Sequence, residues 1–281
     1  MKKYIRSIWA QCYLMFQTKT FWISLGIMSV YCALTYIKLI TENMGMDISN
    51  VIRSSEWFAC FEYAPYADKF LYLFPIIVSM PFALHYFDEK EKKADIYSLC
   101  RTEKRVYYVG KLAACFLGGF IVMVVPLFWN ILLNYFTIHN TQESYYGQRD
   151  VFFTNVFYAE EGLEHALLLF PEFYIAHPTL YNVLFSIQIG ILAGICGIVA
   201  FVTAHIVKKY KLLIFVPNYA LFWLFHRYGV RLIHTDINNL VVIQNYFGIS
   251  EWKVPFLYIG ILFLSLAVFW IHIKREENQL Q

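Results

Sequence analysis

The 281-residue chain is 59% hydrophobic and 20% aromatic, only 15% charged, and has mean hydropathy +0.49 and formal charge +3. Soluble domains carry about 25% charged residues, so the composition excludes an ordinary globular domain and leaves an all-α polytopic membrane protein. No basic patch forms outside the membrane-flanking loops, which excludes a nucleic-acid partner.

Residues 4–18 predict an amphipathic helix, with Ile5, Ile8, Trp9, Cys12, Tyr13 and Phe16 on one face. It reads as an elbow lying in the cytoplasmic interface or as an inward extension of the first span. No apolar run follows the first charges directly and no small-residue cleavage site is present, so residues 1–22 do not read as a signal peptide. The first span is expected over 21–40, followed by an acidic external segment over 41–69. A second span, 70–87, contains Pro75 and Pro81. Proline kinks a helix, so this span is bent, either to line a path or to serve packing.

Residues 88–111 form the longest strongly charged stretch, with seven Lys/Arg, and separate span two from span three at 112–136. A second acidic external segment covers 137–180, and span four covers 181–207. Gly190, Gly194 and Gly197 in span four allow close helix approach. The fifth hydrophobic stretch, 212–225, is short and interrupted at Pro217-Asn218. With the mixed segment 230–247 it predicts a broken or re-entrant element before the last span, 254–273. With both ends inside, sixteen of the 23 Lys/Arg are cytoplasmic and thirteen of the 20 Asp/Glu external. This asymmetry orients six spans with cytoplasmic termini.

Only Cys60 of the six cysteines falls in an external segment, so no extracellular disulfide is expected. No GxxxxGK[ST] sequence occurs, and nucleotide hydrolysis by the P-loop route is therefore excluded for this chain. Glu160, Glu161, Glu164 and His165 make the sharpest catalytic-looking cluster, since Glu161 and His165 are i, i+4. It reads as a solvated external helix, with an intramembrane hydrolase as the alternative; a ligand-sensing membrane protein is a third reading. Asn130, Asn134 and Gln188 are expected to hydrogen-bond between helices, with a substrate contact as the alternative. His226, His234 and Asp236 flank the re-entrant turn, where polar groups satisfy backbone or line a vestibule.

The charged loop reads as short helix, turn, long helix, with Thr102 capping a second helix from Glu103. Two readings fit it: an ordinary solvated loop, or a helix that seats in a partner's groove. Through this region the chain resembles the permease subunit of ABC-2 type transporters. The matching residues are Phe87, Glu89 and Glu91 leaving span two and the hydrophobic step Ile96 and Leu99. Arg105, Tyr107, Tyr108, Gly110 and Lys111 then open span three. Lys93-Ala94 stands where the family usually has glycine, and Cys100-Arg101-Thr102 where it has a proline-serine element.

The resemblance implies a non-catalytic subunit in a dimer, either with itself or with a similar permease. Two copies of a separate ABC ATPase would bind Mg-ATP, with no cofactor on this chain. It further implies export of a peptide, drug or lipid-like substrate across the cell membrane. Glu89, Lys92, Asp95, Ile96, Leu99 and Arg105 would contact the motor. Pro75, Pro81, Asn218 and Phe222 would lie on the translocation path.

Overall fold

The computed structural model describes residues 2–45, 54–61, 64–137, 170, 173, 176–229, 237–243 and 253–279. Among them the architecture is helical, with one isolated β-bridge between Phe61 and Ile243. The helices are α1 (Lys2–Gln17), α2 (Lys19–Asn43), α3 (Ala67–Ser79), α4 (Ala83–Glu91) and α5 (Asp95–Arg101). They continue as α6 (Lys104–Thr137), α7 (Pro178–Ile206), α8 (Val216–Leu224) and α9 (Lys253–Gln279). Four of these, α2, α6, α7 and α9, are long and apolar enough to cross a membrane, and the bent pair α3–α4 makes a fifth if counted as one span. This is an all-α fold of membrane type.

Which helices are central follows from burial. In the most apolar window of α7, 67% of residues are buried and in that of α6 50%, against 22% in each of α2 and α9. The two central helices approach closely because small residues face each other. A Cβ on Gly119 would stand 2.4 Å from the Ala193 carbonyl oxygen, and one on Gly197 2.5 Å from that of Cys115. Any side chain there would force the helices apart.

Helix α1 turns its Trp9, Tyr13 and Ile5 face away from the rest of the chain and seats Ser7, Gln11 and Met15 on α6. Gly110 lets it approach, since a Cβ there would come within 2.6 Å of Ser7 Oγ. Thr18 makes the corner into α2 with extended backbone, and its hydroxyl accepts from the Phe21 amide as an N-cap.

Pro75 is accommodated within α3, whereas the chain breaks at Pro81, with 41° between α3 and α4. Proline supplies no amide hydrogen to the preceding turn. At the break the Pro81 carbonyl accepts from the hydroxyls of Thr18 and Thr20.

The loop departs from the expected short-helix plan in two places. The helix leaving the span ends at Glu91, and Lys93 adopts φ +56°, the left-handed region that favours glycine. Thr102 does not cap the helix that follows. Its hydroxyl donates to the Ser98 carbonyl at 2.7 Å and closes α5, because the residue's extended backbone leaves the side chain facing the turn behind it.

The stretch expected as span five holds a 3₁₀ turn (Lys211–Ile214), the nine-residue α8 and a π turn (Phe225–Gly229). Nine helical residues rise about 14 Å, roughly half a hydrocarbon core.

At the end of the bundle away from the 88–111 loop, two segments that each follow or close a short 3₁₀ turn (Ser54–Trp57 and Ile237–Leu240) are buried. Phe58, Ala59 and Cys60 are fully enclosed, as are Leu240, Val241 and Val242. The Ile243 amide donates to the Cys60 carbonyl at 2.7 Å and joins the two segments. Within 41–69, the segment expected to be external, the apolar run Trp57–Phe61 is buried in the bundle interior.

Candidate functional site

The site is the junction where the bent pair α3–α4 meets the charged loop. Three consecutive residues at the end of α4 each reach a different neighbour. Asp88 binds Lys211 Nζ with both carboxylate oxygens, at 2.5 and 2.7 Å. Glu89 Oε2 lies 2.5 Å from Lys111 Nζ on α6, and its other oxygen 3.2 Å from His85 one turn back. Lys90 Nζ donates to the His205 carbonyl at the end of α7. A cation on the last carbonyls of a helix also meets the negative end of its dipole. Helical spacing therefore turns one three-residue stretch into a clasp on three elements.

Lys111 is the centre of this clasp. Its side chain is 1% exposed, and the ammonium sits 4.6, 5.7 and 5.6 Å from the ring centroids of Phe82, Tyr86 and Tyr107. An ammonium in such a place needs a counter-ion, and Glu89 supplies it while the ring faces add cation–π attraction. Tyr86 extends the cluster by a 2.8 Å hydrogen bond to His205 Nδ1, and the His205 ring meets Tyr108 and Phe269 edge-on. The Gly110-Lys111 pair thus has two physical tasks, one admitting α1 and the other anchoring α4.

Beyond the clasp the loop is open. Lys92, Lys93 and Ala94 are exposed, and on α5 Ile96 is 51% and Tyr97 76% exposed. Leu99 is half-buried against the core and fixes α5 to the body. Asp95 opens α5 and is half-buried. Arg105 lies over the Trp270 ring of α9, 5.7 Å from its centroid. The six residues expected at a motor surface therefore do not form one face. Lys92 and Ile96 point outward, Glu89 and Leu99 inward, and Arg105 toward α9.

The four residues assigned to a path are brought closer together. Asn218 is fully buried, and its amide donates to Ser79 Oγ at 2.7 Å and to the Cys196 carbonyl at 3.0 Å. Ser79 in turn donates to the Pro75 carbonyl. Phe222 meets Phe74 with ring centroids 5.3 Å apart. Pro75, Asn218 and Phe222 thus tie α8 to α3 and α7 in a packed contact, while Pro81 sits one break further on, against α2.

The amides do not all bridge helices as expected. Asn130 Oδ1 accepts from the Ala59 amide, Asn134 donates to the Trp57 carbonyl, and Asn182 donates to the Ser55 carbonyl. A short 3₁₀ turn (Ser54–Trp57) and the irregular chain after it, buried among long helices, need such donors and acceptors, and that need outranks helix–helix bonding. Gln188 does both, donating to the Leu240 carbonyl and to Tyr258 on α9. The Glu160–His165 cluster, His234 and Asp236 lie outside the described residues, and His226 pairs with Asn238 at 2.9 Å.

Sequence reasoning passed over Asp88, His85, Lys90, Tyr97, Lys211 and His205. A signal for the central pair was present, since a lysine at the head of a long apolar run requires an acid, and Glu89 lies in the neighbouring turn sequence. Compared with protein-family models, with curated proteins and with solved structures, this chain finds no match.

Proposed function

We propose that this chain is the membrane subunit of an ABC-2 type transporter, an exporter moved by a separate ATPase that binds Mg-ATP. In this reading six crossings place both termini in the cytoplasm of the cell membrane, with 212–225 as the short fifth crossing. Helix α1 is the interfacial elbow, its Trp9 and Tyr13 face dissolved in the inner headgroup layer. Two such chains, identical or similar, pair with two ATPase copies.

The observation that carries the reading is the contrast within the loop. Residues 88–90 and Lys111 are fastened to three elements, and the next turn presents Ile96 and Tyr97 outward on a short helix. That is the construction of a lever, with a gripping surface beyond a rigid root. Lys93 in a left-handed conformation, where the resembled family has glycine, also supports the register of the match. Closure of the motor dimer would displace α5, and the Glu89–Lys111 contact would carry α4 and α6 with it. The bend at Pro81 is where α4 can swing relative to α3. The motor shifts the populations of two packings with different substrate affinity.

The test uses the exposed pair and spares Leu99, whose replacement would damage packing. The double variant Ile96→Asp/Tyr97→Asp should keep the chain's unfolding temperature, since exposed substitutions usually change stability by less than about 0.5 kcal/mol. Capture of a P-loop ATPase in mild detergent and ATP-driven efflux should both be lost. Full efflux in this variant, or a tag at 92–101 labelled from outside intact cells, would overturn the proposal.

A further inference from the structure

Helix α9 packs mainly on α7 and leaves a groove of about 950 Å³ between itself and the first turns of α6. Buried rings close its floor, where Tyr108 meets Phe269 edge-on with centroids 5.3 Å apart. The walls are apolar, with Val109 and Leu112 on one side and Phe263, Leu266 and Ala267 on the other. Phe263 is 74% exposed on a helix apolar enough to cross a membrane, so the groove opens toward hydrocarbon.

The charged groups of the groove are confined to one end. Lys104, Arg105 and Lys274 stand there against one acid, Glu103, which Lys3 already holds at 2.9 Å. The Arg105 guanidinium is steadied by the Trp270 ring, 5.7 Å from its centroid, which places it over the top of the groove. Trp270 and Tyr4, both lining this end, are amphipathic rings of the kind that gather at headgroup level. From Lys274 down to Phe263 helix α9 spans about 16 Å. That is the depth of one leaflet, since the hydrocarbon core is about 30 Å thick.

We propose that this groove holds one anionic phospholipid, its acyl chain between Leu112 and Phe263 and its phosphate between Arg105 and Lys274. The apolar slot carries the inference, because its depth and its opening match a single chain of one leaflet. The cations at its head then decide which lipid enters. A zwitterionic headgroup would bring an ammonium toward three cations, whereas an anionic one brings only the charge they lack. Basic pockets between spanning helices take anionic headgroups for this reason. Lys104 and Arg105 open α6 directly after the charged loop, so an occupant would tie α9 to the exit of that loop. The inference goes beyond the transport reading and needs only that the bundle lies in a bilayer; no ATPase enters its test.

The full-length chain is purified from nanodiscs of phosphatidylcholine and phosphatidylglycerol in equal parts, and lipids that survive delipidation are counted by native mass spectrometry. One phosphatidylglycerol per chain should be retained and phosphatidylcholine lost. Arg105→Gln/Lys274→Gln should weaken retention about tenfold or more, since each cation near a membrane surface contributes about fivefold. Ala267→Phe, which fills the slot and leaves the cations in place, should abolish it. In the unaltered chain, phosphatidylglycerol with a diazirine midway along its acyl chain should label 109–112 and 263–267, which locates the lipid whatever the stability of the variants. Equal retention of both lipids would reduce the effect to ordinary boundary lipid and overturn the proposal. So would retention unchanged in either variant, labelling confined to other helices, or a lipid-free dimer cross-linked through position 263, which would make the groove a contact between two copies.

Discussion

The two ends of the bundle are fastened by different chemistry. At the end away from the loop, neutral carboxamides hold neutral backbone: Asn130 on Ala59, Asn134 on Trp57 and Asn182 on Ser55. At the loop end, ions hold ions or helix ends: Glu89 on Lys111, Asp88 on Lys211 and Lys90 on the last turn of α7. Carboxamide-to-backbone bonds depend little on pH or salt, and each fixes one strand of chain in one place. Ionic contacts are stronger while paired and costly when parted, because a buried charge without its partner is poorly solvated. The first arrangement suits a seal, and the second suits a part that must move as a unit.

The sharpest way to break this comparison is to remove one ion of the buried pair. Lys111→Met leaves the partly buried Glu89 with only His85 beside it and should cost about 1–3 kcal/mol, the penalty of a poorly satisfied buried group. The unfolding temperature in detergent should fall accordingly. Adding Glu89→Gln to Lys111→Met should recover most of the loss, since replacing both members of a buried pair is often neutral. If the double variant is no more stable than the single one, the two residues are not coupled and the clasp is a packing accident.

At the opposite end the expected effect is of another kind. Asn134→Leu withdraws the donor from the Trp57 carbonyl and should cost about 1–3 kcal/mol, the penalty of one unsatisfied buried group. Because the contact is local, hydrogen exchange should accelerate at 55–61 and leave α4 and α5 untouched. A rise in exchange at the loop would mean that the two ends are not independent.

How much of this was legible depends on the length of the pattern. Helices α2, α6, α7 and α9 each contain twenty or more mostly apolar residues, a signal that needs no tertiary information. Pro81 announced its break for the same local reason. The buried segment at Trp57–Phe61 did not, because its five apolar residues follow Glu56 and its burial depends on carboxamides some seventy residues away. Glu89 was read as a surface group for a partner, although it is one turn on from Tyr86, whose buried ring lies beside the same Lys111 ammonium. Thr102 fits either the end of one helix or the start of the next, and only its backbone angles decide between them.

The smallest expected effect concerns an ion pair linking α1 to the loop, Lys3–Glu103, whose side chains are 79% and 65% exposed. The hydrogen bond from Lys3, and then its charge, hold the Glu103 carboxyl below the ordinary value of 4.5. The same contact raises Lys3 above its ordinary 10.5. A depressed carboxyl contributes fully above its unfolded value and loses that contribution as pH falls through the folded one; a raised ammonium contributes fully below its unfolded value and loses it as pH rises through the folded one. The link between α1 and the turn joining α5 to α6 is therefore constant across neutral pH and weakens only at the two extremes. Spin labels at Ala10 and Cys100 should report one narrow distance distribution at neutral pH that broadens as Glu103 protonates, with Glu103→Gln broad throughout. The Glu89–Lys111 clasp should not respond to added salt over the same range, because a pair shielded from solvent is screened far less than an exposed one. If salt loosens both contacts equally, the distinction between a rigid root and a yielding rim at the loop end is lost.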